Sequence, residues 1–146
     1  MDSATPHDFR HASFHGRIGV ARADITPPVG IYSRNWGAAK HDVAESIHLS
    51  LTLTVLTLAP LEGGSTLVLI DADLGWWKTP QTFQIFQKRL LETLSLESTN
   101  LIFALSHTHA GPPLMETDNS LPGSDLLRTW KEDLFESTVA SVRRAL

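Results

Sequence analysis

Thr66-Leu67-Val68-Leu69-Ile70-Asp71-Ala72-Asp73-Leu74-Gly75 and Asn100-Leu101-Ile102-Phe103-Ala104-Leu105-Ser106-His107-Thr108-His109-Ala110-Gly111-Pro112-Pro113 are the stretches that decide the fold. Each is a short, continuous apolar run that breaks into polar residues. Continuous rather than alternating apolarity is the pattern of a strand buried on both faces. Between them, Thr79-Pro80 reads as an N-cap with a first-turn proline. Phe83, Phe86, Leu90, Leu91 and Leu94 then recur at helical spacing, with Lys88, Arg89 and Glu92 off that stripe. Strand, helix and strand in this order predict a βαβ unit with parallel strands and a right-handed crossover.

Upstream, Ile47, Leu49, Leu51, Leu53 and Val55 alternate with His48, Ser50, Thr52 and Thr54, which predicts a half-buried strand. A turn follows at Glu62-Gly63-Gly64-Ser65. Arg17 to Ile25 reads as an earlier strand, ended by Thr26-Pro27-Pro28-Val29-Gly30 because proline cannot donate to a ladder. Ile31 to Glu45 has no period and reads as a long loop. Downstream, Met115 to Gly123 is a polar loop, and Ser124 is the expected cap of an amphipathic helix carrying Leu127, Trp130, Leu134, Val142 and Leu146. The class is α/β, a mixed sheet with a βαβ unit and flanking helices. Residues 1–16 form a polar, aperiodic leader and 17–146 the folded unit. In the leader, His7, His11 and His15 are spaced by four, but Pro6, Gly16 and the missing apolar period speak against a helix that would hold a metal.

The 146 residues are 42% apolar and 19% charged with a net charge of −4, the profile of one ordinary globular domain. No dense Lys/Arg patch marks a nucleic-acid binder. The absence of cysteine excludes disulfides and thiolate metal sites. No run is long and apolar enough to span a membrane. The N-terminus lacks the apolar core of a signal peptide, so the expected location is cytoplasmic by default.

Parallel neighbours finish on the same edge of a sheet, the rim where open α/β sheets place their sites. Asp71/Asp73 and His107/His109 therefore arrive together. In extended backbone, residues i and i+2 share a face at about 6–7 Å, so both imidazoles can reach one ion or one reacting group. Neutral imidazole is a common zinc donor, and a neighbouring carboxylate often fixes its tautomer. Asp73 is placed for that part or for contact with substrate; Asp71 reads as a solvated strand end. His48 stands on a polar strand face, while His41, Glu45, Glu116 and Asp118 lie in loops where nothing selects them. Trp76-Trp77 reads as packing above the sheet. No nucleophile elbow, dinucleotide fingerprint or phosphate loop is present.

Three blocks, Gly19-Val20-Ala21-Arg22-Ala23-Asp24-Ile25-Thr26-Pro27-Pro28-Val29-Gly30, Leu67 to Gly75 and Asn100 to Pro112, come in an order and spacing that resembles the N-terminal region of neutral/alkaline non-lysosomal ceramidases. The His-Thr-His-x-Gly-Pro block is the most specific of them. The resemblance implies a portion of a larger catalytic domain of a zinc (Zn2+) amidohydrolase that cleaves the N-acyl bond of ceramide into fatty acid and sphingoid base. It implies that His107 is a zinc ligand, that His109 lies beside the reacting water and substrate, and that the substrate is a lipid-like N-acyl compound met in peripheral contact with a membrane. Family members are often secreted or membrane-associated. The family completes its zinc site with a histidine, a glutamate and a tyrosine further downstream, so a missing downstream portion is needed to finish it. Two departures bear on lipid specificity: Pro113-Leu114-Met115-Glu116 replaces a glycine- and aromatic-containing continuation, and Asn35-Trp36-Gly37 stands where Gly-Tyr is usual. The alternative readings are a zinc hydrolase of another amide or ester, and a truncated, non-catalytic binding module.

Overall fold

The computed structural model describes residues 13–146, so His7 and His11 lie outside the described residues. Four strands form one sheet in the order β1 (Gly16–Asp24), β2 (Thr52–Pro60), β3 (Leu67–Ala72), β4 (Leu101–Leu105). The first three pair antiparallel, and β3 pairs with β4 in parallel, Ile70 opposite Phe103. Helix α1 (Pro80–Leu94) connects β3 to β4, and α2 (Ser124–Ala145) closes the chain. The mixed α/β sheet and its βαβ unit are as the patterning predicts.

The register shows how the core is built. Leu53 and Val55 of β2 and Val68, Ile70 and Ala72 of β3 are buried and point to one face. Both helices lie against that face. Phe86 of α1 meets Phe103 of β4 edge-on at 5.5 Å and Phe135 of α2 at 5.8 Å. Leu127, Trp130, Leu134, Phe135, Val139 and Val142 form the buried stripe of α2. Trp130 Nε1 donates to the Ile25 carbonyl (2.9 Å), which fixes the start of α2 under the end of β1. Thr57, the one polar residue on the buried face of β2, donates to the Ala145 carbonyl (2.6 Å) and so caps the end of that helix. Gly19 makes this approach possible, since a Cβ there would collide with the same carbonyl.

Three local expectations are revised. The β2 strand begins at Thr52 rather than Ile47: Ile47 and Leu49 are 53% and 74% exposed, and His48 sits in a bend. The alternation upstream of Thr52 has no partner strand to pair with, because β1 ends at Asp24 opposite Thr52. Thr79 caps α1 as predicted, accepting from Thr82 N at 3.2 Å. Helix α2, in contrast, is entered through Gly123 at φ 70°, and Ser124 is its buried first residue rather than a side-chain cap. The stripe of α2 stops short of Leu146, which is 59% exposed.

The largest revision concerns the sheet itself, which the described residues cover on one face only. On the other face, Ile18 and Val20 are each 66% exposed and Ile102 50%, with Leu56, Leu58, Leu67 and Leu69 between them only partly buried. The continuous apolar runs do describe two apolar faces, but both helices pack on the same one. Contiguous apolar surface of this kind is uncommon on an isolated domain.

Two outcomes are expected. Gly19→Ala displaces the end of α2 and lowers unfolding free energy by about 1–3 kcal/mol in urea titration. The pair Ile18→Thr and Val20→Thr, on the open face, changes stability by less than about 1 kcal/mol while strongly reducing binding of a hydrophobic dye.

Candidate functional site

The parallel pair β3 and β4 delivers two loops to one rim. After Ala72 the chain runs Asp73-Leu74-Gly75-Trp76-Trp77-Lys78; after Leu105 it runs Ser106-His107-Thr108-His109-Ala110-Gly111. The two loops are tied again further on, where Lys78 N donates to the Leu114 carbonyl at 2.9 Å.

The two imidazoles do meet, with ring centroids 5.4 Å apart and planes inclined by 57°. They meet by a different route from the extended i, i+2 geometry. The strand stops at Leu105, and His107 takes a left-handed backbone, φ 61°. For a residue with a Cβ this conformation costs on the order of 1–2 kcal/mol and persists only where the surroundings impose it. Here the surroundings are aromatic. Trp76 stacks on His107 at 5.1 Å and 25° and meets His109 edge-on at 5.3 Å. Trp36, from the loop before β2, lies 4.9 Å from the His109 ring. Both histidines remain exposed to solvent and hence to a substrate.

The Trp76-Trp77 pair therefore divides. Trp77 is packing, as the sequence reading has it, with its ring against Phe83, Phe86 and Phe103. Trp76 instead belongs to the histidine pair. Lys78 Nζ lies 4.2 Å from the centre of the Trp76 ring and donates to the Asn35 carbonyl. Partial burial holds the lysine's pKa below its ordinary value. Asn35 is 2% exposed, and neither polar atom of its carboxamide has a hydrogen-bond partner. It rests against Gly75, where any Cβ would strike its amide nitrogen and lie 3.0 Å from the Thr108 carbonyl. Sequence reasoning notes Asn35 and Trp36 only as a departure from the family pattern and does not select Lys78. Their signal is weak: a tryptophan in an aperiodic loop and a lysine after two tryptophans.

Asp73 reaches the rim with its carboxylate already engaged. Its Oδ2 accepts from Thr52 N (3.1 Å) and from Thr52 Oγ1 (2.8 Å), while its own N–H donates to the Thr52 carbonyl (2.9 Å). It thus ties the start of β2 to the end of β3. Asp73 and His109 line one cleft of about 620 Å³ together with Trp36, His41, His48 and Leu49. His41 pairs there with Glu45 at 3.0 Å. Among the described residues no three His, Asp or Glu side chains come close enough to hold one metal ion. The donor chemistry of His107 and His109 nevertheless suits zinc, as part of a ligand set rather than a whole one.

No protein-family profile matches the sequence, and no curated protein matches it. Solved structures do. The chain is similar to neutral ceramidase from Pseudomonas aeruginosa with a TM-score of 0.66 and 20% identity, over 92% of this chain and 22% of that one. A second structure, a ceramidase complexed with C2, superposes with a TM-score of 0.61 and 20% identity, over 91% of this chain and 21% of the other. The chain has the fold of about a fifth of these proteins.

Asp73→Ala is expected to loosen the β2–β3 edge. Leaving Thr52 N–H without its acceptor lowers unfolding free energy by about 1–3 kcal/mol in urea titration, with no change in the α1 and α2 helical signal by circular dichroism.

Proposed function

We propose that this chain carries the histidine half of a ceramidase-like zinc amidohydrolase site, which cleaves the N-acyl bond of ceramide-like lipids. The supporting observation is the pair of imidazoles, 5.4 Å apart on the carboxyl rim of a parallel strand pair, in a fold shared with neutral ceramidase. His107 would hold the zinc, together with ligands from outside the described residues. When bound, zinc acts as a Lewis acid on the amide carbonyl and lowers the pKa of water to near 7. His109 would move the proton: it accepts from the attacking water and returns the proton to nitrogen as the C–N bond breaks, leaving a carboxylic acid and a free amine. Asp73, with Oδ2 bound to Thr52, would present its other oxygen to the polar head of the substrate.

The cleft walls fit an amphiphile. Trp36, Ile47 and Leu49 line the cleft while staying 44%, 53% and 74% exposed, an apolar lip in the same cleft as Asp73 and His109. Such a lip suits an acyl chain or the lipid surface that carries it, and it favours a lipid over a small soluble amide. No described helix is long and apolar enough to cross a membrane.

Zinc titration followed by histidine NMR tests the metal reading even at weak affinity. The expected shifts are confined to the His107 and His109 rings and vanish in His107→Ala. Shifts spread over His15, His41 and His48, or no shift at millimolar zinc, would sink it. In the assembled enzyme, His109→Ala is expected to keep the metal and lose about 10²–10⁴ in kcat on N-acyl lipids. Equal rates on long-chain ceramides and short N-acyl amides or esters would remove the lipid and leave a hydrolase of another class.

A further inference from the structure

We infer that Lys78 is a positioning residue that clamps the Trp76 and Trp36 indoles against His107 and His109. The inference deepens the reading of that histidine pair, but its main test needs neither metal nor substrate.

The two histidines stand on a loop whose backbone does not favour their geometry, since His107 is left-handed. Among the described residues, two indoles pack on their rings: Trp76 on both and Trp36 on His109 alone. The indoles come from segments some forty residues apart in the chain, and one side chain touches both segments. Lys78 lies over the Trp76 ring at 4.2 Å and donates to the carbonyl of Asn35, the residue preceding Trp36. A cation is attracted to the face of an indole, more strongly as it loses water, and its hydrogen bond to a carbonyl is charge-assisted. Both contacts act to hold the indoles that pack on the left-handed His107 loop.

The ammonium is well suited to the part. Its contacts to both partners are non-covalent and angularly tolerant, so it holds two loops without fixing their side chains rigidly. Its neighbour Asn35 is buried with an unpartnered carboxamide, pressed on Gly75 beside the Thr108 carbonyl. That residue would not hold its place by hydrogen bonding through its own side chain. The backbone tether from Lys78 is what fixes the Asn35-Trp36 segment beside the histidine loop.

Lys78→Met keeps the length and the apolar stem while removing the charge and the donor. In the metal-free protein, the Cε1–Hε1 NMR signals of His107 and His109 should carry the large ring-current shifts of stacked imidazoles. Lys78→Met should move both toward the values of exposed His15, while the far-UV circular dichroism stays unchanged. Lys78→Arg, which restores a cation and a donor, should recover most of the displacement. Trp76→Phe, which keeps a smaller ring, should move His107 more than His109. Zinc affinity, read separately, should fall about tenfold in Lys78→Met. Unchanged histidine shifts in a folded Lys78→Met protein would overturn the inference, whatever the metal result. Intact ring shifts in the wild type without zinc uptake would instead count against the proposed function and leave the clamp standing.

Discussion

Parallel pairing of β3 with β4 is the constraint on which the rest depends. In an antiparallel pair the residues after Ala72 and after Leu105 would leave from opposite edges, some 15–20 Å apart for strands of this length. Parallel pairing brings Asp73, Trp76, His107 and His109 to one edge and requires the α1 crossover to do so. Once α1 lies on one face, α2 has an apolar groove beside it. Phe135 fills that groove between Phe86 and the Arg89 guanidinium, 3.7 Å from its ring. The chemistry and the packing thus follow from one topological choice.

Among the described residues, the other face of the sheet is bare. A row of Val20, Leu56, Leu69 and Ile102 runs across all four strands, and a row of Ile18, Leu58 and Leu67 across the first three. Arg22, Thr54 and Asp71 form the next row, so the apolar surface stops just short of the rim that bears the histidines. Sheets bare of cover on an apolar face ordinarily meet a second layer about 10 Å away. The solved structures that share this fold are chains in which it makes up about a fifth of the length. On the proposed zinc reading, a metal site assembled from several parts of a chain needs the layers that carry those parts to be packed together.

Much of this was legible in the residues. The two continuous apolar runs, the Thr79-Pro80 start and the spacing Phe83, Phe86, Leu90 define β3, α1 and β4 because strand and helix periods differ so sharply. The His-x-His pair was legible too, since strand ends are where parallel sheets collect functional groups. What could not be read is what depends on long-range partners. The alternation from Ile47 to Leu51 looks identical to that from Leu53 to Val55; only the end of β1 at Asp24 decides where pairing stops. The bare face was hidden for a similar reason. A run buried on both faces and a run with one apolar face awaiting cover have the same composition. Trp36 and Lys78 act across loops with no period at all, and the two bonds that tie Asp73 to Thr52 join residues 21 apart, which no local pattern announces.

His107 links these levels. An imidazole on a regular strand end would be held by the ladder, with its neighbour two residues on held in parallel register. The left-handed turn at His107 breaks that register and makes ring position depend on what packs around it. A strained residue of this kind is stable only when its contacts outweigh the strain, and the contacts here are indoles supplied by two other loops. Part of the energy that orders those loops is therefore also the energy that sets the separation of two nitrogen donors. Preorganising donors in the absence of a metal keeps the ordering cost out of the binding step. On the proposed reading, in which the chain supplies part of a ligand set, that is the contribution the fold can make by itself.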